Sequence, residues 1–186
     1  WGLRTAENPV GRMVGSVYPD EWIMRGNHHD GWGHGASDPI SGMVSLMEEA
    51  RAIGELTKTG WRPKRTLIYA GWDAEEPGLL GSTEWVEYNL ADIRKKMIVY
   101  INTDGTGVGY LSMGGSHSLE KFVNEVIRDV QDPVHDVSLD TRLRSRMRVR
   151  EYNSGNYEGI KESERADLRM YAMRAGSDYK PFLHHA

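Results

Sequence analysis

His28, Asp30, Asp38, Asp73, Glu75, Glu76 and Asp104 fall in a few short clusters rather than evenly along the chain. His28-His29-Asp30 closes one apolar-rich stretch, and Asp38 follows soon after, just before Pro39. Asp73-Ala74-Glu75-Glu76 closes a second stretch and Asp104 a third. Carboxylates brought this close raise one another's pKa unless a cation sits among them. One imidazole with several carboxylates is a hard-to-borderline donor set, suited to zinc, and manganese or cobalt also fits. Each member alone has a plainer explanation. A histidine after a strand is commonly a hydrogen-bonded structural residue, an aspartate before proline commonly forms a turn, and paired glutamates are commonly solvated. The case for a site therefore rests on coincidence of position.

That coincidence depends on the elements that would carry the clusters. Residues 21–27 read as a short strand running into His28. Thr66-Leu67-Ile68-Tyr69-Ala70-Gly71-Trp72 and Ile98-Val99-Tyr100-Ile101-Asn102 are continuous apolar runs of the kind found in buried strands. Met43, Leu46, Met47, Ala50 and Ile53 recur at helical spacing, which predicts a helix over about 40–58 ending near Gly60. A second helix around Glu84-Trp85-Val86 is expected to be capped by Ser82. A third is expected over Leu119, Phe122, Val123, Val126, Ile127 and Val130. Residues 1–20 show turn signals around a short apolar stretch. Between 142 and 150, arginines alternate with Leu143, Ser145, Met147 and Val149, which is either a basic strand that meets an anionic partner or a solvated face or irregular loop. Alternating strands and helices imply an α/β fold with its sheet covered on both faces. In such a sheet, ligands bind beyond the carboxyl ends of the strands, where these clusters lie.

Composition narrows the function classes. The chain has 186 residues, with 23 Lys and Arg against 27 Asp and Glu and a formal charge of −4. That balance argues against nucleic acid as the main partner, and no apolar run is long enough for a membrane span. Cysteine is absent, which removes thiolate metal sites, disulfides and a cysteine nucleophile together.

Several motifs carry a resemblance. They are Asn27-His28-His29-Asp30, Gly35-Ala36-Ser37-Asp38-Pro39-Ile40-Ser41-Gly42, Gly60-Trp61-Arg62-Pro63-Lys64-Arg65-Thr66, the run Trp72 to Trp85 around Asp-Ala-Glu-Glu, Tyr100-Ile101-Asn102-Thr103-Asp104, and Gly176-Ser177-Asp178-Tyr179. Together they resemble the peptidase domain of the glutamate carboxypeptidase branch of the di-zinc aminopeptidase family. The resemblance implies a three-layer α/β/α sandwich with a mostly parallel central sheet, with residues 1–186 forming one partial catalytic domain. It implies two zinc ions. His28 and Asp104 would bind one, Asp38 would bridge both, and Glu76 would bind the second. Glu75 would be the general base, and Asp30 would accept a hydrogen bond from the far nitrogen of His28. The family's last zinc ligand, a histidine, is expected beyond residue 186. A peptide substrate, a terminal-residue cleavage, a homodimer and a place outside the cytoplasm are further expectations from the resemblance.

Proline lowers the cost of a cis bond, so Asp38-Pro39 is a candidate cis peptide. Two other functions are weighed. A receptor-like relative of the same fold would be expected to have lost the metal ligands, whereas His28, Asp38, Glu75, Glu76 and Asp104 are all present; metal binding without turnover is the expectation for this segment taken alone. A serine hydrolase would use Ser82 or Ser116, but neither sits in a Gly-x-Ser-x-Gly elbow.

Overall fold

The computed structural model describes residues 2–173 and 176–185. They divide into two compact units, one built from residues 1–107 and 175–186, the other from 108–174.

The first unit is organised by four strands, β1 (Val10–Met13), β2 (Tyr18–His28), β3 (Arg65–Trp72) and β4 (Met97–Asn102). Their order across the sheet is β1-β3-β2-β4. β2 pairs in parallel with β3 on one side and β4 on the other, with His28 opposite Trp72 and Gly26 opposite Asn102. β1 alone is antiparallel, against β3. The side chains of a strand alternate between faces, so β2 feeds two different layers. Trp22 and Met24 point to the same face as Ile68, Ala70 and Trp72 of β3. There they pack with Val86 of α2 (Leu80–Tyr88), Ile93 of α3 (Leu90–Lys96) and Phe182 of α7 (Tyr179–His185). On the opposite face lies α1 (Gly42–Lys58), whose Glu49 sits 2.6 Å from Arg25 of β2 and accepts from the Tyr69 hydroxyl of β3. The expected α/β fold with a mostly parallel sheet between two helical layers is therefore present.

Local departures from expectation have identifiable causes. β1 is a true strand where turn signals were read, because its pairing comes from a distant partner rather than from its own sequence. Ser82 does not cap α2. The helix follows Leu79, held at φ 60, and Ser82 lies inside the first turn, buried, with its hydroxyl donating to Asp178 at 2.5 Å. Asp38-Pro39 is cis, within a short irregular helical segment, Ala36–Ser41, that leads into α1.

The second unit contains α4 (Glu120–Asp129), α5 (Leu139–Ser154) and α6 (Tyr157–Glu162). The arginine alternation at 142–150 is not a strand or an irregular loop but part of α5, a helix largely open to solvent there. Ser138 caps it by accepting from the Thr141 amide, and Gly155 closes it at φ 71. Period-two spacing of arginine says little when the arginines are held by charge: Arg144 pairs with Asp140 one turn earlier, and Arg142 with Asp132. Asp132 is almost wholly buried and also accepts from the amides of Val134 and His135. Among the described residues no helix is long and apolar enough to cross a membrane.

Two outcomes follow for stability. Phe182 stacks on Tyr100 at 4.0 Å between ring centres and leans on Trp72 and Trp85. Its replacement by alanine should cost about 3–5 kcal/mol, read from denaturant unfolding. The Arg142 guanidinium beside Asp132, aided by the neighbouring amides, holds that carboxyl well below the usual carboxylate range. A depressed folded pKa means stability that is fully present above the unfolded value of about 3.9 and lost as pH falls through the folded one. Asp132→Asn should therefore lower the thermal midpoint at pH 7. The gap to the parent should close as pH is taken below about 4, followed by circular dichroism.

Candidate functional site

Parallel pairing of β2 with β3 and β4 brings three strand ends to one edge of the sheet. His28 is the last residue of β2, the Asp73–Glu76 turn follows β3, and Asp104 lies just past β4. Asp38 reaches the same edge from the loop between β2 and α1. The approach is close. A Cβ on Gly42 would overlap Asn27 Oδ1 and come within 2.5 Å of the Asp104 carbonyl, so only glycine lets α1 start there.

His28 is buried, with 2% of its surface exposed, and both ring nitrogens are engaged. Nδ1 lies 3.0 Å from the Asp30 carbonyl oxygen, an atom that can only accept, so Nδ1 carries a proton. Nε2 then faces Asp38 Oδ1 at 3.0 Å and Asp104 Oδ1 at 3.8 Å. In the neutral ring, Nε2 presents a lone pair to two carboxylates, which is repulsive. A positive species is needed between them, either a second ring proton or a metal ion. Burial works to lower the His28 pKa, but the charges of Glu75, Asp104 and Asp178 and the bond to Asp30 outweigh it, and the net shift is upward. The donor chemistry thus fits a divalent cation, with one nitrogen and two carboxylates from three separate segments. Among the described residues no three histidine, aspartate or glutamate side chains yet close around one point.

Asp30 serves two purposes at once. Its carbonyl accepts the hydrogen bond from His28 Nδ1, while its carboxylate lies 3.5 Å from the same nitrogen. The carboxylate oxygens instead accept from the consecutive amides of Glu75 and Glu76, at 2.9 and 3.2 Å. Asp30 thus stands at the far nitrogen of His28 with its main-chain oxygen as the acceptor, and its carboxylate pins the turn carrying both glutamates. The turn is further held by its own bonds. Leu79 N reaches Glu75 O, Asp73 accepts from the amides of Glu7 and Ala74, and Ala74 stands at φ 57. Burial first, then the neighbouring carboxylates, pushes the Glu75 carboxyl up to about 7 against the pull of His28. A cation bound nearby would lower it again.

The 176–185 segment contributes residues to which the sequence alone assigned no role. Ser177 Oγ donates to Asp104 Oδ1 at 2.6 Å and accepts from Asn102 Nδ2 at 2.8 Å. Asp178 is fully buried, accepts from Ser82, and has its second oxygen without a partner among the described residues. Burial lifts its carboxyl to about 6. The Gly-Ser-Asp-Tyr block was the only signal for either residue, and hydrogen-bond partners 73 and 96 positions away cannot be read from it. His184 and His185 end α7. A recess of about 420 Å³ lined by Glu7, Asn8, Pro9, His29 and Met43 opens beside the site.

The chain is similar to known proteins. The chain is 39% identical over 184 residues to a probable glutamate carboxypeptidase of Zea mays, covering 95% of this chain and 23% of that protein. It is 36% identical over 187 residues to an aminopeptidase of Rattus norvegicus, covering 98% of this chain and 24% of that one. It thus spans about a quarter of the length of these relatives. Among solved structures, a zinc aminopeptidase from Bacillus subtilis superposes with a TM-score of 0.57 at 19% identity, over 96% of this chain and 37% of that one. An aminopeptidase from Aneurinibacillus does so with a TM-score of 0.57 at 20% identity, over 95% and 36%. These likenesses speak for the fold. Residues 8–150 match the description Peptidase family M28, and the chain belongs to that family.

Proposed function

We propose that this chain forms the metal- and water-handling part of a zinc-dependent exopeptidase that removes a terminal residue from a peptide. The observation that carries the reading is the meeting of His28, Asp38 and Asp104 at one sheet edge, with Glu75 pinned beside them by Asp30. His28, Asp38, Glu76 and Asp104 would hold two zinc ions, with Asp38 between them. When bound, the zinc ions supply an activated water at neutral pH and positive charge for the oxyanion that develops on the scissile carbonyl.

The chain's own residues then divide the work. Asp30 commits the Nδ1 proton of His28 through its carbonyl, so that Nε2 presents a lone pair. The Asp30 carboxylate holds the Glu75 and Glu76 amides and so fixes the turn from which both side chains would act, Glu75 on the water and Glu76 on a zinc ion. Glu75 takes a proton from the water and delivers it to the leaving amine, which regenerates its carboxylate. Partial burial suits this role, because a carboxylate shielded from bulk water holds a proton more readily. The substrate is a peptide, and a carboxyl-terminal glutamate is the preferred leaving residue by analogy with the carboxypeptidase relative.

The assay is release of a terminal amino acid from a peptide panel by the protein carrying this sequence. A strong zinc chelator should abolish release, and added zinc should restore it. Glu75→Gln, which keeps the size and removes the base, should lower kcat by about 10²–10⁴-fold with zinc content unchanged. Full activity in that variant would remove Glu75 from the mechanism. Asp30→Asn should lower kcat and zinc affinity together, because it loosens the turn holding both glutamates, and an effect on neither would break the link drawn here.

A further inference from the structure

We propose that Ser177 and Asn102 are positioning residues for Asp104, and that their protons are oriented by a hydrogen-bond chain beginning at the indole of Trp72. The inference rests on the reading of Asp104 as a zinc ligand. The chain runs from Trp72 Nε1 to Tyr100 OH at 2.9 Å, then from Tyr100 OH to Asn102 Oδ1 at 2.8 Å. From Asn102, Nδ2 reaches both Asp104 Oδ1, at 3.0 Å, and Ser177 Oγ, at 2.8 Å. Ser177 Oγ in turn reaches Asp104 Oδ1 at 2.6 Å.

Every proton along this path has a single place. An indole nitrogen only donates, so the Tyr100 oxygen must accept from it. The one hydroxyl proton of Tyr100 is then free to pass forward, and it goes to Asn102. The amide therefore presents its oxygen to Tyr100, which settles its orientation and sends both N–H groups the other way. Ser177 accepts one of them, which leaves its own proton for Asp104. The polarity set at Trp72 arrives as two donors on one oxygen of Asp104. Two donors on one oxygen fix the rotation of the carboxylate. The oxygen that receives both donors is the one turned toward His28 Nε2, so its placement relative to the imidazole is what the two donors set.

The surroundings make the path rigid. Trp72 is wholly buried and Ser177 nearly so. Burial, above all, pushes the Tyr100 hydroxyl well above its ordinary range, so it stays a neutral donor. Tyr100 is clamped by its stack on Phe182. Gly26 of β2 gives the path its room, because a Cβ there would overlap the Tyr100 hydroxyl and come within 2.5 Å of Trp72 Nε1. A phenylalanine at position 100 would satisfy the packing equally well. The hydroxyl is needed for the polarity of Asn102. Without it, the amide is free to turn its oxygen toward Asp104 and Ser177.

The test uses the full chain and reads metal rather than turnover. Zinc affinity is measured by competition with a chromophoric chelator, and the absorption spectrum of the cobalt-loaded protein reports ligand geometry. Ser177→Ala and Tyr100→Phe should each weaken zinc about 10- to 100-fold, the range for residues that orient a ligand, and alter the cobalt spectrum. The two changes together should weaken zinc by less than the product of the separate effects, since both cut one path. Ser177→Thr, which keeps the hydroxyl, should retain the parent's affinity and spectrum, which a role in packing alone would not require. Asp104→Asn separates the two levels of the argument. If it weakens zinc while Ser177→Ala and Tyr100→Phe leave affinity and spectrum as in the parent, the positioning role is overturned and the ligand role stands. If Asp104→Asn leaves zinc binding intact, the ligand reading falls and the inference falls with it.

Discussion

The constraint on which the first unit turns is a buried imidazole facing carboxylates. His28 has almost no access to water, one nitrogen committed to a carbonyl, and the other turned toward Asp38 and Asp104. The imidazole is shielded from water while the Asp38 and Asp104 carboxylates stay partly exposed, so solvent screens their charge only from the outer side. The edge of the sheet therefore needs positive charge to be at rest. The upward pull on the His28 and Glu75 protonation equilibria expresses the same need, because a proton is the smallest cation available. A fold that merely required a hydrogen-bonded histidine would not set carboxylates against its remaining nitrogen. A divalent cation, as proposed, would meet that need at His28, and a second ring proton meets it otherwise.

That arrangement is possible only because β2 runs parallel to both neighbours. In an antiparallel sheet, adjacent strand ends point to opposite edges, and His28, the Asp73–Glu76 turn and Asp104 would be scattered. Parallel pairing needs crossovers of a dozen residues or more, and α1 on one face and the α2–α3 pair on the other provide them. The covering helices are not a separate requirement from the site. They are how three equivalent strand ends come to lie side by side.

The strands carrying the candidate ligands were legible because they are short apolar runs closed by charged residues, and both signals are local. Residues 65–72 and 97–102 fall within a residue or two of where the pattern puts them. What was not legible depends on distant partners. β1 is a strand because β3 needs an edge partner, and nothing in Val10–Met13 says so. Ser82 has the sequence position of a cap, but its hydroxyl is taken by Asp178. The arginines of α5 look like alternation until their acidic partners are known. The same limit applies at the site. Asp30 lies beside His28 in sequence, but the bonds from its carboxylate to the amides of Glu75 and Glu76 depend on a turn that arrives from another strand.

Ser177 and Asn102 extend this point from structure to chemistry. Their spacing from Asp104, two residues back and 73 residues on, has no periodic signature. They are joined by polarity instead. A donor-only indole at one end and an acceptor-only carboxylate at the other leave the groups between them no choice of direction. Such a chain links the aromatic core to the sheet edge, so the packing of Trp72, Tyr100 and Phe182 and the orientation of Asp104 are not independent properties. A hydrophobic core usually tolerates volume-conserving exchanges among its members. Here two of those members also carry directional protons. Exchanges that preserve volume but remove an N–H or O–H therefore act on the site while leaving the core's packing nearly untouched.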